Sequence, residues 1–97
     1  MSSVDKISHN VYFDGKVQSL GVQVPKGKAT VGVMKQGTYS FNTGSPEIME
    51  VIIGEMSAKL PGGELIRYRK GESFEVPGNS SFEVVCEADV AYICYYE

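Results

Sequence analysis

A chain of 97 residues is long enough for one hydrophobic core and too short for two domains. Its 42% hydrophobic and 22% charged content is ordinary for a globular domain. The net charge of −3, with nine scattered lysines and arginines, argues against binding to nucleic acid or to an anionic membrane surface.

Export and membrane insertion both leave sequence signals, and neither signal is visible. No apolar run approaches the roughly 18 residues that a membrane span needs, and residues 1–10 contain no apolar stretch of the kind found in export signals. Cys86 and Cys94 allow at most one disulfide, and the reduced state is favoured for a chain without an export signal. We therefore expect a cytoplasmic protein that does not associate with membranes.

Strand patterns dominate the chain beyond its first residues. Residues 1–10 are predicted to form a flexible N-terminal arm, and residues 11–97 are predicted to form a single domain. In chain order, strands are predicted over residues 11–13, 16–24, 30–34, two between 37 and 54, then 55–60, 65–68, 73–76, 82–86 and 90–96. Strands that recur about every eight to twelve residues, with Gly and Pro between them, indicate an all-β sandwich or barrel.

The alternation of side chains along a strand predicts which of them point into the barrel. On the two strands between residues 37 and 54, the side chains predicted to point inward are those of Tyr39, Phe41, Thr43, Glu47, Met49, Val51 and Ile53. Ile52 would point outward, so both faces of its strand would be covered by protein. That pattern predicts a partner subunit, and the simplest arrangement is a symmetric homodimer.

The later strands complete the predicted interior. The side chains that share an inward face there are Phe74, Val76, Phe82, Val84, Cys86, Tyr92, Cys94 and Tyr96. The expected interior is therefore rich in Phe, Tyr and Met around one carboxylate, that of Glu47.

Two spaced motifs resemble those of the small cupin barrels. In that superfamily the first motif is His-x-His-x-x-x-Glu with a Gly seven residues after the Glu. The second motif is Gly, five residues, Pro, and a third His five residues after the Pro. Glu47, Gly54, Gly71 and Pro77 match these patterns, whereas the three His positions hold other residues, namely Phe41, Thr43 and Phe82.

The resemblance implies an all-β, small single-domain cupin, a double-stranded β-helix with a jelly-roll-like barrel. Because a metal cupin needs imidazole nitrogens and a carboxylate that converge on one ion, the missing histidines predict no metal and no cofactor. Glu47 is then either a surface residue after a Ser-Pro turn or a pocket carboxylate. Phe41 and Phe82 are either plain core or an aromatic surface on which a planar ring can stack.

Each of the remaining candidate residues has both a functional and a purely structural interpretation. Arg67 and Arg69 share a face of one strand and are either an anion site or a solvated edge. Cys94 lies between tyrosines, far from any activating histidine, so it is interpreted as a small buried hydrophobe rather than a nucleophile. No Ser/His/Asp set and no Gly-rich phosphate loop is present.

An ordered set of short segments resembles the small bacterial pyrimidine/purine nucleoside phosphorylase family, formerly an uncharacterised family of small cupins. The segments are residues 12–21, 32–34, 37–43, 46–49, 51–54, 60–61, Tyr68, Gly71, Phe74, 76–77, 80–82 and 92–96. They cover nearly the whole chain from Val11 onward. The chain departs from the pattern at Tyr95, where some relatives are expected to carry Arg.

The resemblance implies phosphorolysis of purine and pyrimidine nucleosides, with phosphate as co-substrate, to give free base and ribose 1-phosphate. It implies Glu47 as the catalytic carboxylate, and a substrate pocket formed by Tyr39, Phe41, Thr43, Met49 and Phe82. For phosphate the sequence offers Lys16, Arg67, Arg69 and Thr43, and it does not decide among them. Two alternatives stay open: a non-enzymatic cupin that binds or senses a small molecule, and a metal-dependent dioxygenase or isomerase, which the missing histidines argue against.

Overall fold

The computed structural model describes residues 6–97, and apart from one 3₁₀ turn at Phe13–Gly15 the regular elements of this range are all strands. The strands are β1 (His9–Tyr12), β2 (Val17–Val24), β3 (Gly27–Met34), β4 (Gly37–Thr43), β5 (Glu47–Ile53), β6 (Glu55–Lys59), β7 (Leu65–Arg69), β8 (Ser73–Val76), β9 (Ser80–Cys86) and β10 (Val90–Tyr96). The predicted all-β class is confirmed. Within residues 6–97 there is no helix of the length and apolarity needed to cross a membrane.

Two antiparallel sheets pack face to face. One has six strands in the order β1-β2-β3-β10-β5-β8, and the other has four in the order β4-β9-β6-β7. Strands adjacent in sequence therefore lie in different sheets at all three connections from β3 to β6 and at all three from β7 to β10. This alternation between sheets produces the jelly-roll-like topology expected of a small cupin.

The first strand includes part of the predicted arm. His9 and Asn10 belong to β1, where they pair with Leu20 and Ser19 of β2. The sheet thus begins two residues before the predicted domain boundary at residue 11. Residues 1–5 of the predicted arm lie outside the described residues.

A β-bulge separates the two ends of β5. Ala91 pairs with Ile53, but the next residue, Tyr92, pairs with Val51, so Ile52 has no partner on β10. Because one unpaired residue reverses the alternation of side chains, the predicted inward orientation of Ile53 is wrong, and its side chain is 63% exposed. Gly54 follows with φ +85°, and a Cβ there would lie 2.9 Å from the Asp89 carbonyl oxygen. Only glycine fits this turn between the sheets.

The core fills the space between the sheets. Its largest fully buried members include Met34 and Met56, with Val17, Val51 and Val84 around them. Both cysteines are buried free thiols. Toward one end the two sheets are not closed by such side chains, and a cavity remains.

Candidate active site

The cavity between the sheets has a volume of about 460 Å³, which falls within the range typical of small-molecule sites. Its two walls differ in chemistry. The six-stranded sheet contributes side chains with hydroxyl, thiol and carboxyl groups, and the four-stranded sheet contributes aromatic rings together with Ser40 and Asn42. Met34 and Met49 close the buried end.

The polar wall comes mainly from β10 and its neighbours. The side chains of this wall are Ser19, Glu47, Tyr92, Cys94 and Tyr96. Glu47 lies directly opposite Tyr96 in the pairing of β5 with β10, while Cys94 lies opposite Met49. Because residues opposite each other on paired strands point to the same face, these groups project together into the cavity.

Glu47 is held by a neighbouring thiol. The Cys94 S–H donates to Glu47 Oε1 at 3.3 Å. Burial raises the pKa of the Glu47 carboxyl, and the hydrogen bond from Cys94 partly opposes that rise. Burial also raises the pKa of the Cys94 thiol, and the nearby Glu47 charge raises it further. Cys94 therefore stays protonated at neutral pH and serves as a hydrogen-bond donor rather than as a nucleophile.

Two tyrosines flank this pair. Burial raises the pKa of Tyr96 to about 12, and its hydroxyl lies 3.3 Å from Thr30 Oγ1. Burial raises the pKa of Tyr92 as well. The Tyr92 ring crosses Gly32 of β3 so closely that a Cβ there would lie 2.5 Å from the phenol oxygen. The glycine thus provides the space for Tyr92 to reach the cavity.

The opposite wall is built from stacked rings. Phe41 of β4 and Phe82 of β9 pair directly in register, with ring centroids 5.5 Å apart and planes 28° apart. Phe74 contacts the far side of Phe82 edge-on, with centroids 6.3 Å apart. Phe82 is 4% exposed, whereas Phe41 is only partly buried. Of the two, Phe41 is therefore the ring more available to a ligand.

A strained turn places a third ring at the open side of the cavity. Phe13 and Asp14 have φ +52° and +56°, a left-handed conformation that is uncommon for such residues. The Phe13 ring packs against Tyr39 and Phe41, with centroids 5.0 and 5.5 Å apart. These contacts hold the turn in place, and Phe13 and Tyr12 line the exposed side of the cavity.

The structure brings four of the predicted site residues together. Glu47, Phe41, Met49 and Phe82 all line the cavity. The motif spacing had left Glu47 either at the surface or in a pocket, and its side chain is half-buried in the cavity wall.

Two predicted substrate contacts lie behind the cavity wall. The Tyr39 hydroxyl donates to the Lys35 carbonyl oxygen at 2.7 Å, and only its ring supports Phe13 and Phe41. Thr43 is buried, and its hydroxyl donates to the Pro77 carbonyl oxygen at 2.7 Å and accepts from the Ser80 N–H at 3.1 Å. Both side chains hold the strand ends in place instead of lining the cavity.

The predicted phosphate ligands lie away from the cavity. Arg67 and Arg69 project together from β7 toward Glu55, with N–O distances of 3.7 and 4.0 Å. Their positions agree with the interpretation of β7 as a solvated strand edge rather than an anion site. Lys16 is exposed after the 3₁₀ turn, and its backbone, not its ammonium, contacts Phe13. Among residues 6–97, no lysine or arginine lines this cavity.

Sequence reasoning assigned no substrate role to several cavity residues. These are Tyr12, Phe13, Ser19, Met34, Ser40, Asn42, Tyr92, Cys94 and Tyr96. Parity already grouped the last three on one inward face, so the signal was present. Tyr12, Phe13 and Ser19 belong to the segment 12–21 that carries the family resemblance, but nothing in their pattern indicates that β1 and β2 reach the cavity.

The cavity does not fit the metal that cupin barrels often bind. Phe41 and Phe82 have no donor atoms, and the Thr43 hydroxyl is already used by Pro77 and Ser80. Within residues 6–97, no three His, Cys, Asp or Glu side chains converge in a way that would hold an ion. Glu47 is the single carboxylate left from the metal-binding motif.

Comparison with known proteins identifies a single family. The family model described as pyrimidine/purine nucleoside phosphorylase matches residues 7–96. Proteins of that name from Vibrio cholerae and Dechloromonas aromatica are 46% and 47% identical to this chain. Those alignments cover 93% and 99% of this chain and 96% and 99% of the relatives. A Geobacter relative of the same name is 51% identical over 90% of this chain and 86% of its own length.

Solved structures share the fold. A protein of unknown function from Vibrio parahaemolyticus superimposes with a TM-score of 0.91 at 43% identity, covering 95% of this chain and 99% of its own. One from Acinetobacter gives 0.86 at 39% identity, covering 93% and 90%. An RmlC-like cupin from Shewanella frigidimarina gives 0.70 at 17% identity, covering 97% and 86%. This last likeness shows the fold alone and confirms the predicted cupin architecture.

Proposed function

The chain belongs to the pyrimidine/purine nucleoside phosphorylase family, and we propose on that premise that it is a pentosyltransferase of broad specificity. The proposed reaction transfers the pentose of purine and pyrimidine nucleosides to phosphate, releasing the free base. Its substrates are then a nucleoside and inorganic phosphate, and no cofactor takes part.

The two unlike walls of the cavity support a nucleoside as substrate. A base is flat and offers an aromatic face whatever its identity, so it can stack on the partly buried Phe41 ring, behind which Phe82 is stacked. A ribose carries hydroxyl groups that suit Glu47, Tyr92 and Tyr96 on the facing wall. Recognition by stacking tolerates many bases, which accounts for a mixed purine and pyrimidine specificity.

The position of Glu47 supports cleavage of the glycosidic bond. As the bond between C1′ and the base nitrogen breaks, positive charge builds on the sugar. Glu47 is the one carboxylate among the cavity-lining residues of the described chain. Partial burial lowers the local dielectric and strengthens its attraction for the developing cation. The observation that carries the proposal is this carboxylate facing a stacked aromatic pair across one cavity.

The test is a panel of nucleosides that includes uridine, cytidine, adenosine and guanosine, each incubated with the protein with and without phosphate. Base release from members of both classes, only when phosphate is present, is the expected result. Tight binding of the same nucleosides by calorimetry without any base release would instead identify a non-enzymatic binding module.

A first prediction concerns metal. Because the residues at the former ligand positions are Phe41, Thr43 and Phe82, protein purified without an affinity tag should contain well under one equivalent of transition metal by elemental analysis. Prolonged chelation should leave activity unchanged. An ion present at one equivalent, removed by chelator together with the activity, would contradict this.

We also propose that the protein is a homodimer in the cytoplasm. The two buried cysteines are free thiols, the state favoured in a reducing compartment. The outer face of the six-stranded sheet is mostly apolar, although Glu50 and Gln18 also lie on it. Its exposed side chains are Leu20, Val22, Val31 and Val33, which are 43–51% exposed. Half-buried Ile48, Ile52, Ile93 and Tyr95 continue this outer face.

A second copy of the chain suits this outer face. From strand spacing and rise, the four strands that carry these residues, at about seven residues each, cover roughly 19 by 23 Å, or about 440 Å² in flat projection. Because side chains make the surface uneven, the area in contact with a partner is larger than this projection. It thereby approaches the roughly 800 Å² per partner of a stable interface. A two-fold axis through a flat apolar surface lets it pack against itself, and Ile52 lies at its β5 side.

The second prediction tests this assembly by light scattering at micromolar concentration, which should give twice the mass of one chain. Val31→Glu should give a monomer, since an isologous contact buries the new charge twice. Leu65→Glu is the matched control, because Leu65 is 53% exposed on the other sheet and its variant should stay dimeric. A wild-type monomer would overturn the proposal.

A further inference from the structure

Three residues form one row across the inner face of the six-stranded sheet. Tyr96 of β10 lies opposite Glu47 of β5 on one side and opposite Lys28 of β3 on the other. Paired residues share a face, so a carboxyl, a phenol and an ammonium group follow one another across three strands. The Cα atoms at the two ends are separated by about two strand spacings, or roughly 10 Å.

The row brings a cation beside a cavity that has none of its own. Within residues 6–97, Glu47 is the only charged side chain on the cavity lining. Three other cations are engaged elsewhere, since Lys35 pairs with Asp89 at 2.9 Å and Arg67 and Arg69 face Glu55. By contrast, Lys28 Nζ lies over the Tyr96 ring, 5.9 Å from its centroid.

The surroundings of Lys28 add hydroxyl donors and a route from solvent. Thr30 follows two residues later on the same face of β3, and its hydroxyl lies 3.3 Å from that of Tyr96. Tyr96 also lines a second cavity, of about 750 Å³, whose lining is largely apolar and includes Ile48 and Tyr95 of the outer face. Its charged members are Lys26, Lys28 and the acidic Glu97. An anion can therefore approach Tyr96 from this side while the nucleoside occupies the first cavity.

We propose that Lys28, with the Tyr96 hydroxyl, holds the inorganic phosphate that attacks the nucleoside, and this inference rests on the proposed function. A phosphate oxygen forms the new bond to C1′ as the C1′–N bond breaks. The electron pair of that bond passes to the base nitrogen, and the proton of hydrogen phosphate is transferred to the released base. Sugar 1-phosphate and neutral base are the balanced products.

The spacing of the row suits this chemistry. Phosphate repels a carboxylate, so the two charges need separation, and Tyr96 lies between Lys28 and Glu47. A sugar placed over Tyr96 would have Glu47 on one side to stabilise the developing cation and the phosphate on the other. Lys28 supplies the charge-assisted hydrogen bond that an anion needs, a role that the sequence had left among Lys16, Arg67, Arg69 and Thr43.

Kinetics with Lys28→Gln provide the first arm of the test. The KM for phosphate should rise at least 10-fold, while the KM for uridine should change less than twofold. Lys28→Arg should restore phosphate KM to within about threefold of wild type. Lys59→Gln, which removes an exposed lysine of β6, is the matched control and should change neither constant. An unaltered phosphate KM in Lys28→Gln, or a rise produced instead by Lys16→Gln or the Arg67→Gln and Arg69→Gln variants, would overturn the inference.

The second arm does not depend on turnover. Lysines are acylated with a mild reagent, and each is quantified by mass spectrometry in the presence of inorganic phosphate or of chloride at equal ionic strength. Phosphate should protect Lys28 and leave Lys59 reactive. Protection without any phosphorolysis would reject the proposed function and keep the anion site. Phosphate-dependent turnover with Lys28 fully reactive would keep the function and reject the site.

Discussion

Glu47→Gln is expected to lower kcat for nucleoside cleavage by about 100-fold or more, which corresponds to roughly 2.7 kcal/mol of transition-state stabilisation. The substitution keeps the volume of the side chain and its ability to accept from Cys94, but it removes the charge. Because that charge attracts the sugar most strongly as the glycosidic bond breaks, KM should change much less than kcat. Steady-state kinetics with uridine and adenosine measure both constants.

The same variant should be more stable than wild type at neutral pH. Burial raises the Glu47 pKa above its ordinary value of 4.5, so ionisation of Glu47 disfavours the folded state. The stability that the protonated form provides is fully present below the unfolded-state pKa and is lost as the pH rises through the raised folded pKa. The Tm of Glu47→Gln should therefore exceed that of wild type at pH values above the raised folded-state pKa of Glu47, and the difference should vanish at lower pH. Wild-type activity should fall as the pH is lowered and Glu47 becomes protonated.

Full turnover by a folded Glu47→Gln protein would show that Glu47 is only a relic of the metal-binding motif. The matched comparison is Glu50→Gln, which changes the other carboxylate of β5 at a position that does not line the cavity. That variant should leave both kinetic constants unchanged. A loss of similar size in both variants would point to a general electrostatic effect.

Phe82→Ala is expected to destabilise the fold by about 3–5 kcal/mol, the usual cost of deleting a buried Phe side chain. The ring is 4% exposed and is packed between Phe41 and Phe74, so its loss leaves a void in the core. For a domain of this size, that cost lowers Tm by more than about 12 °C. Thermal unfolding followed by circular dichroism is the measurement.

Phe41→Leu should separate ligand stacking from core packing. Phe41 is only partly buried, and leucine keeps most of its apolar volume but offers no aromatic face. Since a stacked base contributes about 1–3 kcal/mol, nucleoside KM should rise about 5-fold or more with a Tm shift of only a few degrees. Unchanged KM in this variant would mean that both phenylalanines are core residues, as the simpler reading of the sequence holds.

The fold could be predicted from sequence because its signals are local. The strand alternation gave the inward faces of β4, β9 and β10 correctly, since parity depends only on consecutive residues. It failed at Ile53, because a bulge depends on the pairing with β10, which no stretch of β5 encodes. The start of β1 at His9 was not visible for a similar reason, since His9 and Asn10 pair with residues about ten positions away.

The candidate site could be predicted only where a motif spans it. Glu47, Phe41 and Phe82 occupy motif positions, so the spacing located them. Thr43 does too, but its hydroxyl donates to the carbonyl oxygen of Pro77, 34 residues away, which residue type does not reveal. Lys28 carries no motif and is 19 residues from Glu47 in sequence; only the strand order β3-β10-β5 places them in one row.

The most direct test of the central claim is the stoichiometry of uridine cleavage, followed by ³¹P NMR together with chromatography of the released base. The wild-type protein should form one equivalent of ribose 1-phosphate for each uracil released, with no uracil formed when phosphate is omitted. Uracil released at the same rate without phosphate, or no uracil under either condition, would contradict the account.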